Sequence, residues 1–331
     1  MRPAPATASL AVVGPTSSPP TASRSRSVAP GRPGTSDEQD RHATLRAGLL
    51  DWYAVTGRDL PWRHDRDPYG VLVSELMLQQ TQVARVVEAW PRFLGRFPDV
   101  ASLAGAPAGR VIAEWHGLGY NRRAVHLQRA AQAIMEHHQG VVPSRLADLQ
   151  ALPGVGPYTA RAIAVFAFDQ VAAPVDTNIA RVLSRALVGQ RLAPKSMQQW
   201  ADAVVPPERP AAWSHALMDL GAQLCTARAP RCAACPVAAT CAWQLSGHAE
   251  PDPADRGNRV GQGRFEGSDR WHRGRIVEAL RRGPVPADAL ARAAGLERQP
   301  ARFERLVANL VEDGLAEWDD ERLRLPGSDD V

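Results

Sequence analysis

The feature that most constrains this chain is a group of four cysteines, the only ones among its 331 residues. Cys225, Cys232, Cys235 and Cys241 follow the spacing C-x6-C-x2-C-x5-C. Zinc sites usually use two close pairs of cysteines separated by a longer loop, whereas a [4Fe-4S] cluster needs four thiolates in a larger cage. The spacing therefore favours a [4Fe-4S] cluster, with a zinc ion or disulfide bonds as the alternatives.

The composition allows a sizeable hydrophobic core and contains no membrane segment. Hydrophobic residues make up 44% of the chain, and no apolar run approaches the length of a membrane span. The apolar residues 10–13 are too few for a signal peptide, so we expect a cytoplasmic protein. Nearly all of its 39 basic residues are arginines, which suit phosphate binding, although a GC-rich genome would produce the same bias.

Shifts in composition divide the chain into four parts. Residues 1–40 are rich in Pro, Ser, Ala, Thr and Arg, which predicts a disordered basic arm. Residues 41–242 carry apolar side chains at helical spacing and predict an almost entirely helical core. Residues 243–262 are polar and rich in Gly, Asp and Pro, which indicates a linker. Residues 263–326 predict three helices and a hairpin, which together form a small winged-helix-like domain.

Glu75 lies in an apolar run that predicts a helix. We expect this helix to begin at Asp67 and the proline after it, and to continue to about Trp90. Burial in such a run would raise the pKa of the carboxyl group and keep a proton available near neutral pH. A buried glutamate that bonds to a neighbouring helix end fits the same pattern.

The segment LPGVGPYTA, residues 152–160, separates two predicted helices at 144–151 and 157–168. Gly154 and Gly156 allow positive φ angles, so the chain can turn tightly with its amides exposed. The second helix would present its N-terminal N–H groups beside this turn, where a phosphate oxygen can bind. The same sequence also fits an ordinary connection between two helices that binds no phosphate.

Asp176 lies in the string PVDTNIARV, at the start of another predicted helix. An aspartate in this position is typical of a helix N-cap. A second role, in catalysis, is compatible with capping, because a capping carboxylate stays ionised and can face a developing positive charge.

Together these motifs resemble the adenine-specific MutY family of mismatch DNA glycosylases, within the iron–sulfur helix–hairpin–helix glycosylases. The resemblance covers about residues 45–242. It is carried by the four cysteines and six strings, which are RDLPWR (58–63), SELMLQQTQV (74–83), GLGY (117–120), LPGVGPYT (152–159), VDTN (175–178) and MDLGA (218–222). It implies an all-α, two-lobed fold with a cluster loop at 225–241.

The resemblance also implies a substrate and a set of site residues. The substrate is double-stranded DNA with adenine opposite 8-oxoguanine or guanine, handled by a monomer at the bacterial nucleoid. Glu75 would be the catalytic acid and Asp176 the carboxylate that stabilises the sugar cation. Gln80 and Tyr120 would intercalate at the mismatch. The residues expected to contact DNA or the base are Arg58, Trp62, Arg63, Leu78, Gln80, Tyr120, Gly154, Gly156, Tyr158 and Asn178.

Two alternatives differ in chemistry. An endonuclease III-like lyase needs a lysine in the hairpin helix to form a Schiff base. Tyr158 stands at that position, and Lys195, the only lysine, lies well beyond it, so a monofunctional enzyme is expected. A redox-sensing DNA-binding regulator would need neither Glu75 nor Asp176.

The chain departs from the family pattern at three places. Asn121 follows Tyr120 and His215 precedes the MDLGA string, where many members carry other residues. The residues beyond Cys241 are too few for the Nudix-like domain with which many members read 8-oxoguanine. The sequence therefore leaves the preference for the opposite base open.

Overall fold

The computed structural model describes residues 36–189, 192–247 and 264–327, and α-helices dominate this part of the chain. The helices are α1 (Ser36–Thr56), α2 (Pro68–Leu78), α3 (Val83–Arg96), α4 (Val100–Ala104), α5 (Ala108–Glu114), α6 (Arg122–His138), α7 (Leu146–Ala151), α8 (Pro157–Phe168), α9 (Thr177–Leu183), α10 (Pro194–Ala203), α11 (Pro210–Gln223), α12 (Ala242–Leu245), α13 (Asp269–Leu280), α14 (Ala287–Ala294) and α15 (Pro300–Glu312). The strands are β1 (Val285–Pro286), β2 (Glu317–Asp319) and β3 (Arg322–Arg324). No helix in the described ranges could span a membrane.

Two separate hydrophobic cores divide the helices into two lobes, as the sequence predicts. The first core is built from α2 to α8, with fully buried side chains such as Phe93 and Trp115. The second combines α1 with α9 to α12 and includes Leu49 and Trp213. Because α1 packs on α11, the start of the helical chain closes the second lobe. The lobes meet where α8 contacts α11, between the two cores.

The predicted helix from Asp67 to about Trp90 is wrong in its extent. Asp67 does cap α2, since its carboxylate accepts a hydrogen bond from the Gly70 amide at 2.7 Å. However, α2 ends at Leu78 and a separate helix, α3, begins at Val83. The residues between them form a loop in which Gln80 adopts a left-handed φ of 55°. The polar string QQTQ therefore lies on a tight connection instead of a helix face.

The helix–turn–helix around LPGVGPYTA forms where the sequence predicts, with α7 and α8 on either side. Gly154 has a φ of 79°, and a Cβ there would lie 2.8 Å from the Cβ of His126. Gly156 does not have the expected positive φ, because its φ is −83° and its ψ is 177°. Nothing lies within 4 Å of a Cβ built on Gly156, so glycine there leaves open space in front of the α8 N-terminus.

Residues 264–327 form a compact unit of α13, α14 and α15 with an antiparallel sheet of strand order β1-β3-β2. The hairpin of β2 and β3 turns at Asp320, which has a φ of 50°. The unit shares one continuous hydrophobic core with the first lobe. The Gly109 amide, at the start of α5, also donates to the carbonyl of Pro326 at 2.6 Å. The two parts are thus packed against each other directly.

The predicted boundary of the disordered N-terminal arm at residue 40 is wrong. Residues 36–40 are helical, because α1 begins at Ser36. The rest of the arm, residues 1–35, lies outside the described residues. Most of the expected linker at 243–262 also lies outside them, since the description stops at residue 247 and resumes at 264. Residues 243–245 belong to the short helix α12.

Candidate active site

Glu75 lies in the second half of α2, close enough to Asp176 for the two carboxyl groups to interact electrostatically. Glu75 is only 6% exposed to solvent. Burial, strengthened by the nearby Asp176 carboxylate, raises the pKa of Glu75 to about 8. The carboxyl group therefore holds a proton at neutral pH, as a general acid must.

Tyr158 lies in the first turn of α8, where α8 packs against α2. Its hydroxyl group is hydrogen-bonded to Glu75. This bond and the Arg63 guanidinium both act to lower the pKa of Glu75, but burial outweighs them. Burial and the two carboxylates raise the pKa of Tyr158 well above its ordinary value, so the phenol stays protonated. The side chain that stands in the lyase lysine position is therefore directed at the buried acid.

Asp176 is the N-cap of α9, as its position in the sequence predicts. Its Oδ1 accepts hydrogen bonds from the amides of Asn178 and Ile179 at 2.9 and 2.7 Å. Its Oδ2 accepts from the Asn178 side chain at 2.9 Å. These hydrogen bonds fix the carboxylate at the N-terminus of α9, where the helix dipole interacts favourably with a negative charge. The site thus combines a neutral acid with a fixed negative charge.

Asn178 is itself held from two sides. Arg181, one turn further along α9, donates to its Oδ1 at 2.7 Å. Across the helix interface, a Cβ on Gly221 would lie 2.6 Å from the Cβ of Asn178. Only glycine at residue 221 allows α9 to approach α11 this closely, which gives the MDLGA string a physical reason.

Asp219, in the same string, joins Arg58 and Arg63 at the wall of the site. Arg63 donates to both of its oxygens at 2.9 Å, and Arg58 donates through Nε at 2.7 Å and through its amide at 2.9 Å. Burial alone would raise the pKa of Asp219, but the hydrogen bonds from Arg63 and Arg58 prevail and lower it. Asp219 belongs to the MDLGA string, but the string alone did not indicate a role for it. The available signal was an aspartate among the apolar residues of a predicted helix.

Trp62 and Leu78, the other residues expected near the base, pack in the core of the first lobe, whereas His215 lies on α11. Trp62 is buried against the edge of Trp90, and Leu78 is half-buried at the end of α2. His215 stacks on Phe166, with ring centroids 4.1 Å apart. Burial and the Arg63 guanidinium lower the pKa of His215 well below its ordinary value, so the imidazole is neutral.

Gln80 and Tyr120, the expected intercalating residues, lie at the tips of two adjacent loops. Both are exposed, and both adopt a left-handed φ, of 55° and 46°. The buried Arg123 ties the loops together, because its guanidinium donates to the carbonyls of Gln79 and Gly119 at 2.6 and 3.0 Å. Arg123 could not be predicted from the sequence, since nothing local distinguishes it from the other arginines.

The hairpin is connected to the first of these loops. The side-chain amide of Gln79 donates to the carbonyl of Gly154 and to the Thr159 hydroxyl, both at 3.3 Å. The α8 N-terminus behind Gly156 is exposed beside it. The exposed hairpin, the Gln80 loop and the Tyr120 loop are therefore linked neighbours, whereas Glu75 and Asp176 lie deeper.

The four cysteines surround a small cavity in the second lobe, lined also by Arg185, Arg231 and Trp243. All four are free thiols, and Cys241 is buried. Arg185 lies beside them, with its Nη1 3.5 Å from the Cys225 sulfur and its guanidinium over the Trp243 ring. Within the described residues, no group of three or more His, Cys, Asp or Glu side chains is arranged closely enough to hold a metal ion. Four free thiols around one cavity, with a cation next to them, fit an anionic cluster with four thiolate ligands.

Comparison with known proteins agrees with this arrangement. Residues 73–207 match the HhH-GPD superfamily of base excision DNA repair proteins. The chain is 42% identical over 286 residues to an adenine DNA glycosylase of Mycobacterium tuberculosis, covering 84% of this chain and 92% of that protein. It is 40% identical to the adenine DNA glycosylase of Mycolicibacterium smegmatis, covering 81% and 91%. A match over 84% of the chain is longer than residues 1–262, so it reaches into the C-terminal unit.

A solved structure supports the fold independently. The structure of a thermostable thymine-DNA glycosylase matches with a TM-score of 0.59 at 28% identity, covering 63% of this chain and 98% of that one. This share of the chain is similar in length to the two helical lobes together. The bacterial relatives are at least 40% identical to this chain over more than 80% of its length. This chain therefore belongs to the adenine DNA glycosylase family of DNA N-glycosylases, within the HhH-GPD superfamily of base excision repair proteins.

Proposed function

We propose that the protein removes adenine from double-stranded DNA in which the adenine is mispaired with 8-oxoguanine or guanine, by hydrolysing its N-glycosidic bond. The observation that carries this proposal is the pairing of Glu75, whose pKa is about 8, with the capped carboxylate of Asp176. A buried carboxyl group that keeps its proton can serve as the acid, and a carboxylate held by amide donors at the start of a helix can face a developing positive charge. The relatives named adenine DNA glycosylases support the choice of base.

The proposed reaction begins when the adenine nucleotide rotates out of the stack. Gln80 and Tyr120, on loops held by Arg123, occupy the space that the base leaves. Glu75 donates its proton to N7 of adenine, which makes the base a better leaving group. The bond between C1′ and the base nitrogen then breaks with its electron pair moving to the base.

Asp176 acts on the sugar in the same step. An oxocarbenium-like cation develops as the glycosidic bond breaks, and a carboxylate fixed in place stabilises such a charge without reorganising. The amides of Asn178 and Ile179 provide that fixation. Water adds to C1′ and loses a proton, which leaves an abasic site and free adenine.

The first test is an excision assay in which a duplex with one A:8-oxoguanine pair is incubated with the protein. We expect adenine release and a strand that breaks only after alkali or heat, because Tyr158 cannot form a Schiff base. A duplex with the adenine paired to thymine is the control. Borohydride should trap little or no covalent complex, and efficient trapping at Lys195 would contradict a monofunctional mechanism.

We further propose that Cys225, Cys232, Cys235 and Cys241 hold a [4Fe-4S] cluster. When bound, the cluster would supply an anchor for the loop and no chemistry on the base. The support is the cavity between the four free thiols and the Arg185 guanidinium beside Cys225. The loop carries Arg228 and Arg231, both exposed, which would then be held in position to contact phosphate.

Purified protein is expected to be yellow-brown and to contain about four irons per chain, the content of one [4Fe-4S] cluster. Cys235→Ser removes one ligand and should lower the iron content and the DNA affinity together. Ala234→Ser places the same side chain one residue away and should change neither. Metal analysis and the visible absorption spectrum measure the outcome, and a colourless protein with one zinc would exclude the cluster.

A further inference from the structure

The C-terminal unit contacts the loop tip of the first lobe that carries Tyr120. Arg270 lies in the first turn of α13, which Ser268 caps. Its Nη1 donates a hydrogen bond to the Tyr120 hydroxyl group at 2.5 Å, and its guanidinium lies 5.4 Å from the centre of the Tyr120 ring. Arg281, which follows α13 directly, donates to Oδ1 of Asn121 at 3.4 Å. Both ends of α13 therefore hold neighbouring residues of this loop.

A third contact fixes the residue after Asn121. Asp313, which follows α15, forms ion pairs with Arg122 at 3.4 Å and with Arg273 of α13 at 2.5 Å. Three consecutive residues, 120–122, are thus each bound by a side chain of the C-terminal unit. Asn121, where the chain departs from the family pattern, is one of the three. These polar contacts lie beside the hydrophobic core that the two parts share.

The loop needs such support, because its backbone is unusual. Gly117, Gly119 and Tyr120 all adopt left-handed φ angles, of 79°, 69° and 46°. A left-handed φ is unfavourable for a residue with a Cβ, so contacts from outside must hold Tyr120 in place. Arg123 supports the backbone, since its guanidinium donates to the carbonyls of Leu118 and Gly119 at 3.2 and 3.0 Å.

The end of the Tyr120 side chain depends on the C-terminal unit. Within the described residues, Arg270 is the group that hydrogen-bonds to the Tyr120 hydroxyl. Both residues line the cleft between the first lobe and the C-terminal unit, where the Tyr120 ring is exposed. An aromatic side chain that must enter a base stack loses less rotational freedom on binding when it is already held in one orientation. A bond to the hydroxyl group provides that hold.

We propose that Arg270 is a positioning residue for adenine extrusion, which acts through the Tyr120 hydroxyl group. The bond holds the ring in the orientation in which it fills the space that the adenine leaves. This inference rests on the proposed function, and it names the contact through which the C-terminal unit assists that step.

The test follows extrusion separately from bond cleavage. The target adenine, opposite 8-oxoguanine, is replaced by 2-aminopurine, a fluorescent analogue whose emission rises when it leaves the stack. All proteins carry Glu75→Gln, so excision does not interfere. Adding Arg270→Gln should slow the rise at saturating protein by about threefold to tenfold, the size expected for the loss of one hydrogen bond. Adding Tyr120→Phe, which keeps the ring and deletes only the hydroxyl group, should slow it equally.

The combination of Arg270→Gln with Tyr120→Phe identifies the route of the effect. If Arg270 acts only through the hydroxyl group, the second change should add nothing to the first. Arg275→Gln is the matched control on the same helix. Arg275 donates to the Ala293 carbonyl and lies over the Trp271 ring, both within the C-terminal unit. Its replacement should leave the extrusion rate unchanged.

Several outcomes would overturn the proposal. Additive losses in the combined variant, with a weaker Kd and a smaller salt dependence, would assign Arg270 to a phosphate contact. Faster extrusion in Arg270→Gln would show that the bond restrains Tyr120. An unchanged rate in this variant, while wild type excises adenine, would overturn this inference alone. No fluorescence rise in the parent protein would instead exclude extrusion and contradict the proposed function itself.

Discussion

Glu75→Gln is expected to lower the single-turnover rate of adenine excision by about 100-fold or more, since general acid catalysis typically contributes a factor of about 100 to 10,000. Glutamine fits the same buried space and hydrogen-bonds to Tyr158, but it has no proton to give. Folding and DNA affinity should therefore be retained. Excision is measured at saturating enzyme, and binding is measured on the same duplex.

The pH dependence identifies the acid more sharply. Since the pKa of Glu75 is about 8, the wild-type rate at saturating enzyme should be level near neutral pH and fall above about pH 8. The residual rate of Glu75→Gln should lack this fall. A variant that keeps near-normal excision, or keeps the same basic limb, would show that another group donates the proton.

Tyr158→Phe is the matched variant for this experiment. The Tyr158 hydrogen bond lowers the pKa of Glu75, so its removal should shift the basic limb of the profile to higher pH. The protonated acid is still present at neutral pH, and excision there should persist. Loss of DNA affinity without a shift of the limb would instead assign Tyr158 to the DNA backbone.

Burial of Glu75 also makes the stability of the protein depend on pH. The pKa in the folded protein, about 8, lies above the ordinary value of 4.5. Its contribution to stability is therefore complete below pH 4.5 and is lost as the pH rises towards 8. Glu75→Gln should accordingly have a higher thermal midpoint than wild type at pH 9 and a similar one at pH 5.

Local signals in the sequence predicted the local parts of the site. Asp67 and Asp176 cap helices because an aspartate before a helix accepts hydrogen bonds from nearby amides, whatever the tertiary fold. The turn between α7 and α8 follows from Gly154. The two-lobed helical fold and the family were likewise predicted, because they rest on motifs that are contiguous in the chain.

Contacts distant in sequence account for what was not predicted. A helix that continued past Leu78 would need the carbonyls of Leu76 and Met77 for its own hydrogen bonds. Arg123 takes both, at 2.8 Å, from 46 or more residues away, so α2 ends. Similarly, residues 263–326 could be predicted as a unit from their own apolar positions. Their shared core with the first lobe depends on surfaces that no local pattern describes.

The second large effect is expected at Asp219, which has no proposed contact with the base. Asp219→Asn should lower the free energy of unfolding by about 3 kcal/mol, the low end for breaking a buried ion pair, because Arg58 remains 31% exposed. Arg63 is only 8% exposed and would be left with a buried, uncompensated charge. Urea denaturation at neutral pH measures the change.

Asp288→Asn is the control, since it breaks an exposed ion pair with Arg292 and should leave the denaturation midpoint unchanged. The pKa of Asp219 is lowered in the folded protein, so its contribution is present above 3.8 and is lost as the pH falls through the lowered value. The deficit of Asp219→Asn should therefore be constant near neutral pH and shrink only under strongly acidic conditions. Equal midpoints for both variants and wild type would mean that the Arg58 and Arg63 side chains find other partners, and that Asp219 does not hold the wall of the site together.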